Sequence, residues 1–505
     1  MPKKGTDDLF RLIRSLSATE KAYFRKFAER HVIGEKNHYL KLFAAIEKQK
    51  VYDEKKLLRD EKYIRELPYL KNYLSDIILR AMQAYRIDET VENKIHRVIG
   101  QVEFLFSKGL YDLCEKQIRK GKKLCEQHEN NIYKIKLLYF EGSIRMRDSS
   151  IIRETKPGAI DHEILDLLEA EKNIILYLDL QRRLFALMHE KGYSKNSSER
   201  KKFDTIMSDP LLADEKKAIG FNSRSIFYNI WASYSSFIYD YPNLYTYCKK
   251  HLALRRAEFR RLGNADKYIK SLSNFYVACF NLKRYGECEK LLQEMRRLPI
   301  KSKDDEIMVY SRYLHNALNL YLAEADFAKG ERLAETEWPR FEALKERMDP
   351  RYKINILFKT VHFSFITGNY KKSILLINEL LTDDLKKIMP SLYMHTLVLK
   401  VLLHYEMGHD DVLPHQVRAL QRHAGKAGTG NIFEYIIINC FNDMILKNIP
   451  EEKTMRTAAE KLGTAFGDPV YRENIFHSFD YLSWIESKIN GRSFAGILRE
   501  KALAG

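Results

Sequence analysis

The sequence predicts an all-α protein in which helical hairpins stack side by side as a solenoid, with a helical cap at each end. Apolar residues make up 45% of the 505 residues, which is enough for a packed core. Only 22 Gly and 12 Pro occur, and this argues against collagen-like, low-complexity and turn-dense all-β chains. A short motif also recurs at intervals of 40 to 43 residues, which is typical of repeat architectures.

The motif begins with a small or polar residue, followed two positions later by an aromatic residue and three positions after that by a small residue. Its copies begin at Gly109, Asn243, Lys283, Ala325 and Gly368, and a degraded copy begins at Gly408. Gly suits the first position because the chain leaves a helix there. The aromatic residue begins the next helix, and the small residue lets the two helices approach closely. The motif therefore predicts the turn of a helical hairpin.

Apolar residues on both sides of the copy at Lys283 recur at intervals of three and four, which predicts two helices. They are Leu272, Phe275, Tyr276 and Cys279 before the motif, and Leu291, Leu292 and Met295 after it. Cys114, Cys248 and Cys288 occupy the small position, so we expect them to be buried packing residues. The six cysteines contain no CxxC pair, so neither a zinc knuckle nor a thioredoxin-type motif is indicated.

The copies at Lys283 and Gly368 resemble the tetratricopeptide repeat family, whose second helix opens with Gly, an aromatic residue two positions later and Ala three positions after that. Cys288 and Ser373 stand where that family has Ala. The period is about 40 residues rather than 34, and the Trp and the Leu-Gly pair of the family's first helices are missing. The resemblance covers residues 91–425. It implies a right-handed α–α superhelix whose first helices line a concave groove for extended peptides.

We predict three regions: residues 1–90, residues 91–445, which form the solenoid, and residues 446–505. The first region lacks the motif but contains Ser17 and Glu20 at capping-box spacing, which predicts the start of a helix. The last region contains an apolar helical face formed by Ile475, Phe479, Leu482, Trp484 and Ile485. We therefore expect it to be a closing helical cap.

The chain is basic, with 86 Lys and Arg residues, 68 Asp and Glu residues and a formal net charge of +18. Such a charge favours acidic partners through long-range attraction. Residues 1–150 hold 32 basic and 22 acidic residues, so residues 1–90 are either a solenoid cap or a helix-turn-helix-like module that binds nucleic acid. The second interpretation would make the protein a transcriptional or RNA-linked regulator with a repeat sensor. The clear Gly-containing turn of such a module is absent, which favours the cap.

Three consecutive first helices carry polar residues at helical spacing that include no carboxylate. They are Lys270 and Asn274 in one unit, Arg312, His315, Asn316 and Asn319 in the next, and Asn355, Lys359 and His362 in the third. We call these nine residues the donor row. The resemblance implies that Lys, Arg and Asn at such places hold the carboxylate or backbone of a peptide, through charge-assisted and amide hydrogen bonds. The alternative is that they are ordinary solvated helix faces.

No catalytic motif is found, so we expect a protein that is not an enzyme and needs no cofactor or metal. Gly425–Gly430 contains Gly and Lys but does not match the order of a phosphate-binding loop. His404 and His409 are five residues apart rather than four, unlike the HExxH zinc helix. An enzyme with an unrecognised site remains an alternative.

The predicted function is that of a scaffold or adaptor that binds a protein or peptide, of acidic character, in the groove. Nucleic acid is the second possible partner, and a membrane is not expected because no apolar stretch approaches the length of a membrane span. The N-terminal residues lack the apolar segment of a signal peptide, and so few cysteines suit a reducing compartment. We therefore expect the protein in the cytoplasm.

Overall fold

The structure is a computed structural model that describes residues 7–30, 38–61, 64, 66–85, 91–148, 156, 158–191, 197–263, 265–300, 302–427, 432–466 and 479–504. These residues form 25 α-helices and no strand. The fold is an all-α, solenoid-like arrangement in which helices that are neighbours along the chain pack together, as the sequence predicts.

The helices follow one another in chain order. They are α1 Asp8–Ser15, α2 Ala18–Arg30, α3 His38–Glu47, α4 Glu54–Asp60, α5 Leu67–Tyr85, α6 Val91–Ser107, α7 Tyr111–Gln127, α8 Asn131–Arg147, α9 Ala159–Lys191, α10 Ser197–Met207, α11 Gly220–Phe237, α12 Tyr241–Leu262, α13 Ala265–Asn281, α14 Tyr285–Arg296, α15 Lys303–Ala323, α16 Phe327–Leu344, α17 Pro350–Ile366, α18 Tyr370–Leu380, α19 Asp383–Ile388, α20 Pro390–Glu406, α21 Leu413–Ala427, α22 Ile432–Phe441, α23 Glu451–Phe466, α24 Tyr481–Asn490 and α25 Phe494–Ala504. A π-helical turn, Asn442–Leu446, follows α22.

The contacts divide the chain into two units. The first comprises Met1–Leu180 with Asp209–Arg224, and the second comprises Gln181–Ser208 with Ser225–Gly505. The predicted boundaries after residues 90 and 445 do not coincide with this division and stay predictions.

The N-terminal helices α1–α5 enclose a separate apolar cluster that includes Leu9, Phe24, Phe43 and Leu74. The predicted capping box is present at the start of α2. The backbone N–H of Ser17 donates to the carboxylate of Glu20 at 2.8 Å, and the backbone N–H of Glu20 donates to the Ser17 hydroxyl at 3.2 Å. Two N–H groups that helix geometry leaves unpaired are thereby satisfied, which confirms the predicted helix start.

Left-handed residues mark the hairpin turns. The motif starts Gly109, Lys283, Ala325, Gly368 and Gly408 all have φ between 52° and 81°. The copy predicted at Asn243 is four residues out of register, because the left-handed residue is Tyr239 and α12 begins at Tyr241. Tyr241 and Tyr245 are one helical turn apart, so the aromatic spacing alone fits both registers.

One further left-handed hairpin turn does not match the sequence motif. Asn448 has φ of 52° and lies 40 residues after Gly408, between the π-helical turn and α23. Pro450 stands where the complete copies of the motif have an aromatic residue, so the motif is not apparent at this turn.

The small residue of each motif lies where two helices of a hairpin touch. The Ser373 hydroxyl donates to the Val361 carbonyl at 3.4 Å, and the Cys288 thiol donates to the Tyr276 carbonyl at 3.8 Å. Gly330 is packed on the next hairpin, because a Cβ atom built there would clash with the ring of Phe363. The predicted close approach is confirmed at these positions.

Tyrosine hydroxyls tie successive hairpins together. Tyr276 donates to the carbonyl of Asn316 at 2.6 Å, exactly one repeat later in sequence, and Tyr245 donates to Glu287 at 2.9 Å. A single apolar cluster runs through the second unit from Ala232 to Ile485. Each hairpin therefore buries its apolar flank on its neighbour, as repeat architectures require.

Candidate peptide-binding groove

The donor row lies on three first helices, α13, α15 and α17, of which α15 packs on both others. The guanidinium carbon of Arg312 on α15 is 4.7 Å from the ring centroid of Tyr352 on α17, a step of 40 residues. The same step of 40 joins Tyr276 on α13 to Asn316 on α15. The same offset of 40 residues places Asn319 on α15 at the same height as Lys359 on α17.

The first end of the row, on α13, is open to solvent. Asn274 is exposed, and so is the apolar Val277, which belongs to the same helical face. The ammonium of Lys270 is 2.8 Å from the carboxylate of Asp266 one turn earlier, and its side chain is 52% exposed. The expectation of a face without carboxylates is therefore wrong beside Lys270.

The middle of the row, on α15, is partly closed. Arg312, His315 and Asn319 are half-buried, and Asn319 Nδ2 is 3.2 Å from His315 Nε2. Asn316 is buried, and its Nδ2 has no hydrogen-bond partner in the structure. Because i and i+4 residues share a helical face, the amide of Asn316 lies next to Arg312, beneath the surface rather than on it.

The last end of the row, on α17, is closed. Lys359 is 4% exposed and His362 is 6% exposed, so the expectation that both face an open groove is wrong. Asn355 is half-buried, and its amide donates to the Arg351 carbonyl of its own helix at 2.8 Å. Sequence spacing placed these residues on the correct helix face, but it could not reveal what covers that face.

Lys359 is buried, and no carboxylate of the described residues pairs with it. Desolvation alone lowers the pKa of its amine to about 8, with no contribution from a carboxylate or a hydrogen bond. Desolvation, then the charges of Lys359 and His395, lowers the pKa of His362 well below its ordinary value. His362 Nε2 is buried and has no hydrogen-bond partner among the described residues. The closed end thus holds an unsatisfied imidazole nitrogen beside a buried amine, which is unusual in a folded interior.

A polar network next to this end was missed by the sequence reasoning. His395 on α20 lies with Nδ1 3.3 Å from Glu434 on α22 and 2.8 Å from the Tyr481 hydroxyl on α24. Its Nε2 accepts the backbone N–H of Phe479 at 3.1 Å. All three polar side chains are buried. His395 lies 33 residues after His362, out of step with the repeat of about 40, and no local pattern links it to residues 39 and 86 positions later.

A Ser–His pair elsewhere in the second unit lacks the arrangement of a catalytic triad. Ser225 Oγ is 2.9 Å from His251 Nε2, and both are buried. Desolvation, then the charge of Arg255, lowers the pKa of His251 to about 4. The guanidinium of Arg255 pairs with Glu258 at 2.7 Å. Arg255 Nε also lies 3.4 Å from His251 Nε2, the nitrogen that takes the serine proton in a triad, so a cation there disfavours formation of the imidazolium.

Other sequence candidates also have defined places. His404 and His409 approach at 3.1 Å between their Nδ1 atoms. Within the described part of the chain, no group of three or more His, Cys, Asp or Glu residues could hold a metal ion. The six cysteines are free and buried. The segment Gly425–Gly430 begins in the last turn of α21, and its residues 428–430 lie outside the described residues.

None of the helices that the structure describes combines the length and the apolar character required to cross a lipid bilayer. Comparison of the chain with protein-family models, with curated proteins and with solved structures finds no match.

Proposed function

We propose that the second unit is a non-enzymatic scaffold or adaptor that holds an acidic peptide or protein segment along the donor row of α13, α15 and α17. The observation that carries this proposal is Lys359, an amine buried on the row with no anion beside it in the part of the chain that the structure describes. The resemblance to peptide-binding helical repeats agrees with it. So does the net charge of +18, which favours encounter with acidic partners.

The lowered pKa of Lys359 has an energetic consequence. A pKa of about 8 instead of 10.5 means that keeping this amine charged at pH 7 costs about 3 kcal/mol of folding stability. A carboxylate placed against the ammonium would offset that cost, because a charge-assisted hydrogen bond is strongest where water is excluded. A partner's Asp or Glu side chain, or its C-terminus, supplies such a group.

The rest of the row supports a bound chain rather than a small molecule. Asn274 is exposed, and Asn319 lies at the half-buried middle of the row. A side-chain amide can both donate to and accept from a peptide backbone. The exposed side chain of Val277 offers an apolar contact at the open end. A segment that begins at α13 and ends at Lys359 would meet these groups in turn.

The test is selection of peptides from a random display library with the full-length protein as bait, followed by binding measurements on synthetic copies. We expect enrichment of Asp and Glu, and at least tenfold weaker binding to the Lys359→Met variant. The matched control is Lys372→Met on α18, whose ammonium pairs with Glu335 at 3.2 Å away from the row. Equal affinity of both variants and the unaltered protein, or no acidic enrichment, would contradict the proposal.

The alternative, an N-terminal nucleic-acid module, has less support. In the N-terminal helices, Lys21 and Arg25 both pair with Glu47, and Lys71 pairs with Glu54 at 3.1 Å. Cations that are engaged with carboxylates of the same module contribute less to binding phosphates. Retention of the full-length protein on DNA or RNA that weakens steeply with salt would favour the alternative nonetheless.

A further inference from the structure

The closed end of the donor row is covered by residues 479–481, which precede and begin α24. The ring centroid of Phe479 is 5.7 Å from that of His362 and 4.9 Å from that of Phe365. Phe479 is 3% exposed, as is Tyr481. We call residues 479–481 the strap. Its contact with His362 brings a late segment of the chain onto a helix more than 110 residues earlier.

One imidazole holds both ends of the strap. His395 Nε2 accepts the backbone N–H of Phe479, and His395 Nδ1 lies 2.8 Å from the Tyr481 hydroxyl. In the neutral tautomer with a proton on Nδ1, both hydrogen bonds form at once. His395 thus holds both ends of the strap to α20, and Asp480 between them accepts the backbone N–H of Ser483 at 2.9 Å, which caps the start of α24.

The helix that follows the strap has its own attachment. Trp484 Nε1 donates to Glu406 at 2.6 Å, and Lys488 Nζ donates to the same carboxylate at 2.6 Å. The Trp484 ring also stacks on Phe441, with centroids 6.2 Å apart. Because these contacts do not involve the strap, the part of α24 that follows Tyr481 can stay docked while the strap moves, at the expense of the Asp480 cap.

The closed strap lies over a polar group that is left unsatisfied. His362 Nε2 is buried and has no hydrogen-bond partner among the described residues, and Lys359, one helical turn earlier on α17, has no carboxylate beside it there. A buried polar group without a partner favours any conformation in which water or a ligand reaches it. The segment that excludes water here therefore covers an imidazole nitrogen at a cost in stability.

We propose that residues 479–481 form a reversible strap, whose lifting exposes His362 and Lys359 while the part of α24 that follows Tyr481 remains in place. Its consequence for partner binding rests on the proposed function, because only then does a partner need those two side chains. The proposal that residues 479–481 cover His362 does not depend on the proposed function and is tested separately.

The experiment measures acetylation of Lys359 by N-hydroxysulfosuccinimide acetate, followed by mass spectrometry of the full-length protein. Phe479→Ala removes the ring from His362, and we expect Lys359 to react at least tenfold faster, relative to the exposed Lys371. The control is Phe341→Ala, which truncates an equally buried ring on α16 away from the strap. It reproduces any general loss of stability without opening the strap.

The strap proposal would be overturned if Lys359 were acetylated no faster in Phe479→Ala than in Phe341→Ala. Should Phe479→Ala fail to fold, Tyr481→Phe keeps both rings and removes only the hydroxyl contact with His395, and we expect a two- to fivefold increase. The selected acidic peptides are then titrated into Phe479→Ala, where we expect tighter binding than to the unaltered protein. Faster acetylation with no peptide binding to any variant would support the strap and contradict the proposed function.

Discussion

The two ends of the donor row carry the same residue type in opposite surroundings. Lys270 on α13 is exposed and pairs with Asp266 one turn away, whereas Lys359 on α17 is buried and has no such partner. The helices that carry them are equivalent members of the repeat. What differs is the distant part of the chain that lies over α17, so a repeat position acquires its chemistry from its cover as well as from its own hairpin.

Unfolding of the second unit can be followed directly, which makes this comparison measurable. The chain has three Trp residues, and Trp231, Trp338 and Trp484 all belong to that unit. Denaturant unfolding monitored by Trp fluorescence therefore reports its stability for each variant below.

The largest expected effect is loss of the imidazole that joins the strap to the closed end. His395→Leu removes the acceptor of the Phe479 N–H and the partner of Glu434 and Tyr481, all of which are buried. We expect a loss of about 4 kcal/mol, because removing one partner strands the others away from water. His415→Leu, at an exposed position of α21, is the control and should change stability by less than about 0.5 kcal/mol. Equal effects of the two variants would deny that the network stabilises the fold.

The next effect has the opposite sign. Lys359→Met should stabilise the second unit by about 3 kcal/mol at pH 7, because burial disfavours the charged amine. Between about pH 8 and pH 10.5 the unfolded chain holds this proton and the folded chain does not, so stability of the unaltered protein rises with pH. The difference in unfolding free energy between Lys359→Met and the unaltered protein should therefore disappear towards pH 10.5. If the difference in unfolding free energy stayed constant with pH, the pKa of Lys359 would not be lowered in the folded protein.

A smaller effect separates two motif glycines. Gly330→Ala should cost about 2 kcal/mol, because its new methyl group meets the Phe363 ring of the next hairpin. Gly286→Ala on α14 meets nothing and should stabilise by about 0.5 kcal/mol through reduced backbone freedom of the unfolded chain. Unfolding curves of the two variants check this pair. If both substitutions changed the unfolding free energy by a similar amount in the same direction, the hairpins would be packed alike at both positions.

The smallest effect belongs to the open end of the row. Lys270→Met removes one exposed ion pair with Asp266, so the unfolding free energy should change by less than about 0.5 kcal/mol at any pH from 6 to 10. The same Trp fluorescence titration measures it. A change as large as that of Lys359→Met would erase the contrast between the two ends.

Local patterns in the sequence predicted the features that depend on neighbouring residues. Gly368 requires a left-handed turn, Ser373 requires a close approach, and Ser17 caps α2; each was predictable because the relevant partner lies a few residues away. The register at Tyr239 was not, because aromatic residues one helical turn apart satisfy the same spacing.

The chemistry of the closed end depends on contacts far apart in sequence. Nothing in the residues around Lys359 predicts its burial, which is a property of the packed structure. Glu434 and Tyr481 approach His395 only because hairpins one and two repeats later return to it. No periodicity within a helix encodes such a meeting, so the donor row could be predicted but its environment could not.

The most direct measurement is an NMR titration of the Lys359 side chain in protein labelled at lysine, with and without a selected acidic peptide. The account predicts a pKa near 8 for the free protein, raised towards the ordinary value when a carboxylate binds beside the ammonium. A pKa near 10.5 in the free protein, unmoved by peptide, would contradict a buried amine that lacks an anion.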